Sequence, residues 1–406
     1  MLRVGVIGGG AAGFFAAINL FEMVADVDVT ILEASDKVLS KVRVSGGGRC
    51  NLTNTFESVE SLSKVYPRGE KIMRRALREF GWRESYDWFE EHGVPLMVQE
   101  DDCVFPEAQS SEAIINMFAD YSARFGVKIL TSKRVAKISK PQDEFVVETT
   151  KGEEFNFDVV VVTTGGAPTR SSYSFMDSLP VSIKEPTPSL YTLNISEGGL
   201  TDLMGVVIPD AIVGIASTKF RGEGALLITH WGVSGPATLK LSSYAAEYLK
   251  SVDYRASLFI NWVGVTNEDE VMSELNSIAG SEAKKQLSTA RPYALSSRVW
   301  QYLLSRGGVD STRRWGDVSR KSLNTMVRIL TNDIYHCCGK AKHKEEFVTC
   351  GGVDLSKINP HTLSATECEG LFFAGEVLDI DAITGGFNLQ AAWSTAHKVA
   401  TSISKI

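Results

Sequence analysis

The chain has 406 residues, of which 44% are hydrophobic and 22% charged, and its formal net charge at pH 7 is −7. This composition is typical of a globular protein of two or three domains, and the acidic balance argues against nucleic acid as a partner. No apolar run reaches the ~18 residues of a membrane helix, and the N-terminus lacks the features of a secretory signal. We expect a cytoplasmic protein with no membrane partner. The six cysteines form no CxxC pair and the six histidines show no ligand spacing, so neither a disulfide framework nor a metal site is expected.

The first forty residues predict a strand, a glycine-rich turn, a helix over 11–21 and a second strand over 27–32. Gly8, Gly10 and Gly13 follow the first apolar run in GxGxxG register. In this arrangement the backbone turns tightly and approaches a pyrophosphate, which the N-terminus of the helix holds. Glu33 ends the second strand, where an acidic side chain can accept a hydrogen bond from a ribose hydroxyl. The pattern predicts a dinucleotide site without separating FAD from NAD(P), and a glycine turn that binds nothing is the alternative.

The C-terminal sequence favours FAD. A strand predicted over 371–374 ends at Gly375 and Glu376, and a small-residue helix begins near Asn388, after a glycine pair. A carboxylate at such a strand end can bind a sugar-alcohol chain, which FAD has as its ribitol and NAD lacks. Free N–H groups at the start of the helix can stabilise negative charge on a reduced flavin, and a helix that only docks on the sheet is the alternative. If both chain ends contact one cofactor, they form one domain and the middle of the chain is inserted into it.

Two internal segments are expected to join this domain. The apolar strand from residue 155 ends in "TTGGAP", which places Gly165 and Gly166 at the cofactor edge of a parallel sheet. A strand predicted over 127–139 precedes a hairpin around Lys151, and Val135 is expected to pass beside the adenine.

The segment "SGGGRCN" at 45–51 contains three consecutive glycines, so its backbone has no side chains at 46–48 and the reason for this needs an explanation. Without side chains, its three glycines can bring peptide groups close to a flavin. Arg49 can place positive charge near a phosphate or a reduced flavin, while Ser45 and Asn51 can fix the loop. Redox chemistry at Cys50 would need a low thiol pKa and a partner sulfur, so packing beside the cofactor is the preferred interpretation. A flexible surface turn is the alternative for the whole segment.

Together these segments resemble the YhiN/BaiN-like family of bacterial FAD-dependent oxidoreductases. The resemblance extends over nearly the whole chain and is most specific in "SGGGRCN" and "GGFNLQAAWS". It implies an α/β fold in which a Rossmann-like FAD-binding domain is interrupted by a β-barrel-like subdomain carrying a helical subdomain. It also implies NAD(P)/FAD-dependent chemistry, and one similar group reduces carbon–carbon double bonds in oxidised bile acids. Similar proteins continue the "TTGG" turn with a glycine-rich segment, whereas residues 169–180 here read "TRSSYSFMDSLP", so the substrate or electron donor can differ.

Residues 1–188 and 345–406 are assigned to the FAD-binding domain and residues 189–344 to the insert. Within the insert, 189–265 and 331–344 are β-rich, whereas 266–330 has helical periodicity. His230 lies in a polar, aromatic segment that could line the substrate side of the flavin, although a core histidine is the preferred interpretation. Basic residues cluster in the helical part, where a solvated surface is the simplest interpretation and a site for an anionic substrate or nucleic acid is the alternative. They are Arg291, Arg298, Arg306, Arg313, Arg314, Arg320, Lys321 and Arg328.

We predict an FAD-dependent oxidoreductase that passes hydride through flavin N5, from NAD(P)H to an unsaturated or carbonyl-conjugated small molecule. The alternatives are a flavin-binding redox sensor or regulatory module without turnover, and an FAD-dependent RNA-modifying enzyme. The catalytic residues are unassigned, with Arg49, Cys50 and His230 as weak candidates. The residues predicted to bind FAD are Gly8, Gly10, Ala11, Ala12, Gly13, Glu33, Ala34, Ser45, Gly46, Gly47, Gly48, Arg49, Cys50, Asn51, Val135, Thr164, Gly165, Gly166, Gly375, Glu376, Gly386, Phe387, Asn388 and Leu389.

Overall fold

The structure is a computed structural model that describes residues 1–340 and 348–406. The chain divides into two compact units, one formed by Met1–Ser189 with Lys344–Ile406 and the other by Leu190–His343. The first unit is therefore built from both ends of the chain. The domain boundary predicted between residues 344 and 345, and the predicted end of the β-rich segment at 344, lie outside the described residues.

A five-stranded parallel sheet forms the centre of the first unit. Its strands are β1 (Leu2–Ile7), β2 (Val27–Leu32), β6 (Lys128–Leu130), β10 (Val159–Val162) and β19 (Leu371–Phe373), in the order β19-β10-β1-β2-β6. β1 pairs in parallel with β2 and β10, and β19 from the C-terminal part pairs with β10. Strands covered on both faces are apolar throughout, and all four residues of β10 are buried. The predicted Rossmann-like sheet is confirmed.

Helices from both chain ends pack on each other beside the sheet. They are α1 (Ala11–Met23) and α12 (Phe387–Ile403), which make extensive mutual contact. Phe15 of α1 lies against Trp393 of α12, with ring centroids 5.3 Å apart, and both rings are fully buried. The other helices of this unit are α2 (Ser40–Gly48), α3 (Leu62–Val65), α4 (Glu70–Glu79), α5 (Trp82–Glu91) and α6 (Glu112–Phe125).

Three small antiparallel sheets complete the first unit. They are β3 (Thr53–Asn54) with β4 (Leu96–Val98) and β5 (Cys103–Pro106); β7 (Val135–Ser139) with β8 (Phe145–Thr149) and β9 (Glu154–Phe157); and β11 (Ile183–Ser189) with β18 (Val348–Val353). The hairpin predicted around Lys151 is confirmed as β8 and β9. The single strand predicted over 127–139 is wrong, because the chain turns at Ser132, where φ is +56°, and divides into β6 and β7. Ser132 N–H donates to the carbonyl oxygen of Ser35 at 2.7 Å, which fixes the turn.

The second unit contains a closed antiparallel barrel and a helical part. The barrel strands are β12 (Leu193–Ile195), β13 (Val207–Ile215), β14 (Arg221–Ile228), β15 (Gly232–Ser234), β16 (Arg255–Asn261) and β17 (Asp333–Lys340), in the order β12-β15-β14-β13-β16-β17. Its helices are α7 (Gly235–Tyr244), α8 (Ala246–Ser251), α9 (Glu268–Ser281), α10 (Ser297–Arg306) and α11 (Arg320–Thr331). The predicted inserted barrel is confirmed. α7 and α8 are separated at Ala245, which is the C-cap of α7 and the N-cap of α8.

None of the helices in the described part of the chain is long and apolar enough to cross a membrane.

Candidate cofactor site

The turn between β1 and α1 excludes side chains at two glycines and leaves open space at a third. Gly8 has a φ of +117°, and a Cβ there would lie 2.5 Å from the carbonyl oxygen of Thr163. A Cβ on Gly13 would lie 2.1 Å from the carbonyl oxygen of Gly8, so α1 approaches the turn closely. Around the Cβ position of Gly10, the N-cap of α1, nothing lies within 4 Å. Because α1 has no side-chain N-cap, its first N–H groups, including those of Ala11 and Ala12, are available to an anion.

Glu33 links the end of β2 to the glycine turn. Its Oε2 accepts a hydrogen bond from Gly9 N–H at 2.8 Å, and its Oε1 accepts from the N–H and the hydroxyl of Ser35 at 2.8 and 2.9 Å. Lys133 N–H donates to the carbonyl oxygen of Glu33 at 2.8 Å, which brings the start of β7 to the Glu33–Ala34 corner. Val135 therefore begins β7 two residues from this contact.

A second carboxylate joins three separate segments of the first unit. Glu376 Oε1 accepts a hydrogen bond from Thr349 N–H at 2.9 Å, and its Oε2 pairs with Lys41 Nζ at 2.7 Å. A Cβ on Gly166 would lie 2.5 Å from Glu376 Oε1, and one on Gly375 would lie 2.9 Å from Ala12 Cβ. The turns after β10 and β19 thus meet the start of α1. Lys41 and Thr349 were missed by the sequence reasoning, since no local motif marks either.

The glycine run after β2 has a backbone that side chains would strain. Gly46, Gly47 and Gly48 have φ values of +57°, +68° and +83°, so the three glycines lie in the left-handed region that glycine tolerates best. They follow Ser45, at which the helical geometry of α2 breaks. Around the Cβ position of Gly47 nothing lies within 4 Å.

The residues that follow this run, Asn51 to Thr53, meet the start of α12 directly. Gly386 has a φ of +88°, and a Cβ there would lie 2.4 Å from the carbonyl oxygen of Thr53 and 2.7 Å from Asn51 Oδ1. Asn51 Oδ1 is buried and has no hydrogen-bond partner among the described residues. An unsatisfied buried acceptor costs about 1–3 kcal/mol, which a ligand or water that donates an N–H or O–H would recover. The two ends of the chain therefore enclose a polar acceptor that fits a ligand.

The first turn of α12 offers backbone donors. Gln390 N–H donates to the carbonyl oxygen of Gly386 at 3.0 Å and begins the helical ladder, which leaves the N–H groups of Phe387, Asn388 and Leu389 outside it. The side chain of Asn388 serves the preceding loop, because it accepts from Ala382 N–H at 2.9 Å and donates to the Ala382 carbonyl oxygen at 3.0 Å.

Two buried side chains of α12 hold Leu52 and Thr53, just after the glycine run, and were also missed. Trp393 Nε1 donates to the carbonyl oxygen of Leu52 at 2.9 Å. Gln390 accepts a hydrogen bond from Thr53 Oγ1 and donates to Ser85 Oγ at 2.9 Å. The signal was present in "FNLQAAW", where a buried glutamine interrupts an otherwise small and apolar helix face.

Cys50 and Arg49 are both occupied with local structure. Cys50 is fully buried with a φ of +63°, and burial raises the pKa of its thiol to about 12. A neutral buried thiol is a poor nucleophile, so the geometry argues against redox chemistry at Cys50. The Arg49 guanidinium lies 4.3 Å from the centre of the Phe105 ring, and its Nε donates to the carbonyl oxygen of Gly46 at 3.2 Å. Arg49 thus stabilises the glycine run.

His230 lies in the second unit, in the turn between β14 and β15. The core-histidine interpretation is wrong, because this turn leaves the residue exposed. Its ring contacts the sulfur of Met204 and lies 5.9 Å from the Trp231 ring, measured between centroids.

The glycine-free loop at 169–180 is held by a short helix and by side chains that are buried against the first unit. It forms a 3-10 helix over Arg170–Met176 and buries Tyr173, Phe175 and Met176. Tyr173 Oη donates to the carbonyl oxygen of Gly165 at 3.5 Å. Burial, with a further contribution from the charge of Glu376, raises the pKa of Tyr173. Thr164 is exposed beside this turn.

Among residues 1–340 and 348–406, no three His, Cys, Asp or Glu side chains are grouped so as to hold a metal ion.

Comparisons with known proteins give a family and a fold. The family model described as HI0933-like protein Rossmann domain matches residues 2–402. A ribosomal RNA dihydrouridine synthase of Haemophilus influenzae is 27% identical, with 98% of each chain covered. A 3-dehydro-bile acid delta(4,6)-reductase of Clostridium scindens is 25% identical, again with 98% of each covered. Among solved structures, 3-ketosteroid delta1-dehydrogenase from Sterolibacterium denitrificans has a TM-score of 0.52 at 12% identity, with all of both chains covered, and so shows the fold alone.

Proposed function

The chain belongs to the HI0933-like Rossmann family, and from that premise we propose that it reduces a carbon–carbon double bond conjugated to a carbonyl. The family is one of flavoprotein oxidoreductases, FAD is the cofactor of the chain, and the resemblance to YhiN/BaiN-like proteins is confirmed. When bound, FAD supplies a carrier that accepts and passes on hydride at its N5 atom.

We place the cofactor in the first unit, along the line that joins its glycine turns. The N–H groups at the start of α1 would hold the pyrophosphate, because the space at Gly10 is open and α1 has no side-chain cap. Glu33 would accept hydrogen bonds from the adenosine ribose. Glu376 would accept them from the ribitol: its two oxygens have about four acceptor positions, and Thr349 N–H and Lys41 Nζ use two.

The flavin ring would lie where Asn51, just after the glycine run, meets the start of α12. Asn51 Oδ1 would accept a hydrogen bond from a ring N–H, since this oxygen is buried without a partner in the described structure. The N–H groups of Phe387, Asn388 and Leu389 would stabilise negative charge on the reduced ring, because they lie at the positive end of a 17-residue helix. The contact between Gly386 and Asn51 is the observation that carries this placement.

The proposed reaction follows from chemistry that the names of two relatives share. The bile acid reductase is named for its delta(4,6) substrate, and dihydrouridine is uridine whose ring carbon–carbon double bond has been saturated. In uracil, and in a 3-oxo steroid with a double bond at position 4, the reduced bond is conjugated to a carbonyl. Hydride then adds at the carbon remote from the carbonyl, and a proton adds at the carbon next to it. We propose the same chemistry for this chain.

NAD(P)H is the proposed electron donor. The sequence contains one GxGxxG turn, and we assign this turn to FAD. We therefore expect NAD(P)H to bind transiently, without a second Rossmann site of its own.

Two classes of substrate fit the proposed reaction. The first is an unsaturated small molecule, as the bile acid reductase suggests. The second is a uracil base in RNA, which the name of the Haemophilus relative favours. The acidic overall charge argued against RNA, but it says nothing of how the charge is distributed.

Anaerobic stopped-flow absorbance tests the proposal. We expect the purified protein to show flavin bands that NADH or NADPH bleaches, and we expect cyclohexenone or uracil-containing RNA to restore them rapidly. A flavin that either donor reduces but no conjugated acceptor reoxidises would support a redox sensor and contradict the proposed reaction. A colourless protein that cannot be reconstituted with FAD would contradict the placement of the cofactor.

A further inference from the structure

A cavity lies in the first unit between the start of α4 and the segment 355–360. It encloses about 340 Å³, within the range of roughly 300–1,000 Å³ that is usual for small-molecule sites. Its apolar lining consists of Ile72, Leu355, Ile358 and Pro360. None of the residues that line it is among those assigned to FAD, so the cavity is available to a second ligand.

Two cations without a partner line the same cavity. Lys71 and Arg75 lie one turn apart on α4, and both side chains are exposed. Within the part of the chain that the structure describes, neither makes an ion pair or a side-chain hydrogen bond. Like charges four residues apart on a helix repel each other, so the pair destabilises α4 unless an anion lies between them.

The acidic side chains nearby already have cationic partners. Glu70 also lines the cavity, but it forms an ion pair with Arg74. On the opposite side, Lys357 pairs with Glu367 at 2.6 Å. The charge left for a ligand is therefore that of Lys71 and Arg75. An apolar wall beside two cations fits a ligand with a flat apolar body and an anionic group.

The cavity is connected to the start of α12, where the flavin is placed above. Gly69 lines the cavity, and a Cβ on it would lie 2.4 Å from Ile380 Cγ1. Three residues earlier, Tyr66 Oη donates to the carbonyl oxygen of Phe387 at 3.0 Å. Three residues of chain span at most about 11 Å. An extended dinucleotide is long enough to reach from the cavity toward the flavin.

We propose that this cavity binds the 2′-phosphoadenosine end of NADPH, so that NADPH rather than NADH is the electron donor. This inference rests on the proposed function and names its donor. The adenine would pack on the apolar wall, and the 2′-phosphate would lie between Lys71 and Arg75. This phosphate is a monoester with a charge of about −1.5 to −2 at pH 7, and NADH lacks it. An arginine guanidinium can bind it through two hydrogen bonds, as is usual where proteins select NADP.

The test compares two variants of the full-length FAD-loaded protein that lose the same charge. One removes the cations of the cavity (K71Q/R75Q), and the matched control removes an arginine and a lysine exposed elsewhere in the first unit (R124Q/K151Q). Anaerobic stopped-flow measures how flavin reduction depends on the concentration of NADPH and of NADH. We expect the apparent Kd for NADPH to rise about 10-fold in the first variant, since a charged contact is lost, and to stay unchanged in the control. The apparent Kd for NADH should be the same in all three proteins.

Equal Kd values for NADPH in the two variants, or a wild-type protein that binds NADH as tightly as NADPH, would overturn the proposal. Calorimetry with adenosine 2′-monophosphate and adenosine 5′-monophosphate tests the cavity without turnover. We expect the 2′-isomer to bind the wild-type protein more tightly and to lose this advantage in K71Q/R75Q. Equal binding of the two isomers would indicate a site for any phosphate and would contradict a nicotinamide donor there. If neither nucleotide reduces the wild-type flavin, the proposed donor is wrong, while calorimetry still decides whether the cavity recognises a 2′-phosphate.

Discussion

Asn51 is the side chain at which the requirements of folding and of ligand binding differ. Its Oδ1 is buried without a partner in the described structure, so it costs stability unless a ligand or water donates to it. Gly386 leaves the space beside it, because a Cβ there would lie 2.7 Å from this oxygen.

Substitution of Asn51 by alanine separates the two requirements. We expect Asn51→Ala to leave the free energy of unfolding of the apoprotein unchanged or raised, because an unsatisfied acceptor is removed. The same variant should bind FAD about 10-fold more weakly, since one hydrogen bond of about 1–1.5 kcal/mol is lost. Thermal denaturation of apoprotein and titration of FAD fluorescence measure the two quantities. An apoprotein that is destabilised while its FAD affinity is unchanged would show that Asn51 is structural.

Among the residues of the candidate site, those that belong to a local sequence motif were predicted. Those whose interaction partners lie far away in the sequence were missed. The glycines of the β1–α1 turn and of the run at 46–48 belong to recognisable patterns. Lys41 was missed because its partner Glu376 lies 335 positions away in the sequence. Gln390 was missed because only the fold brings Thr53 beside it.

Among the elements, α12 joins the predicted site to the core. Its first turn offers N–H groups beside Asn51, and further along the helix His397 stacks on Phe80, with ring centroids 4.3 Å apart. Burial lowers the pKa of His397, partly offset by the charges of Glu79 and Glu22. The folded protein therefore resists protonation of His397 more than the unfolded chain does.

This difference predicts a pH dependence of stability. A depressed folded pKa gives a stabilising contribution that is present above the unfolded pKa of about 6.5 and is lost as the pH falls below it. Phenylalanine keeps the stacking on Phe80 but cannot be protonated. We expect the free energy of unfolding of the wild-type protein to fall further than that of His397→Phe between about pH 7.5 and about pH 5.5, by up to about 1.4 kcal/mol per pH unit, and its Tm to fall with it. Parallel Tm curves for the two proteins would rule out this role of His397.

Strands and helices were predicted well where their apolar residues form a regular pattern. They were predicted poorly where contacts between segments distant in sequence determine the local structure. β2 was predicted with its observed bounds, because its apolar run lies between turn residues. The turn at Ser132 was not predictable, since it depends on hydrogen bonds to residues 33 and 35, about a hundred positions earlier. The barrel was anticipated from the family resemblance rather than from strand patterns.

At the scale of the whole molecule, the two chain segments of the first unit pair with each other where the second unit is inserted between them. β11 and β18 pair antiparallel, with Ser189 opposite Val348, at the point where the chain leaves the first unit and returns to it. A short linker could therefore join these strands as a hairpin.

We accordingly predict that the first unit binds FAD by itself. A chain in which a Gly-Ser linker replaces residues 190–347 should retain flavin absorption bands, because every residue assigned to the cofactor lies in the first unit. Flavin absorbance of the purified product checks this outcome. A folded but colourless product would show that the second unit contributes to the cofactor site.

The central claim is that both ends of the chain hold one FAD. Hydrogen–deuterium exchange of apoprotein with and without FAD tests it most directly, because exchange reports each segment separately. We predict that FAD slows exchange in N-terminal peptides covering residues 8–13 and 45–51 and also in C-terminal peptides covering 375–377 and 386–390. Protection confined to the N-terminal peptides would contradict the account.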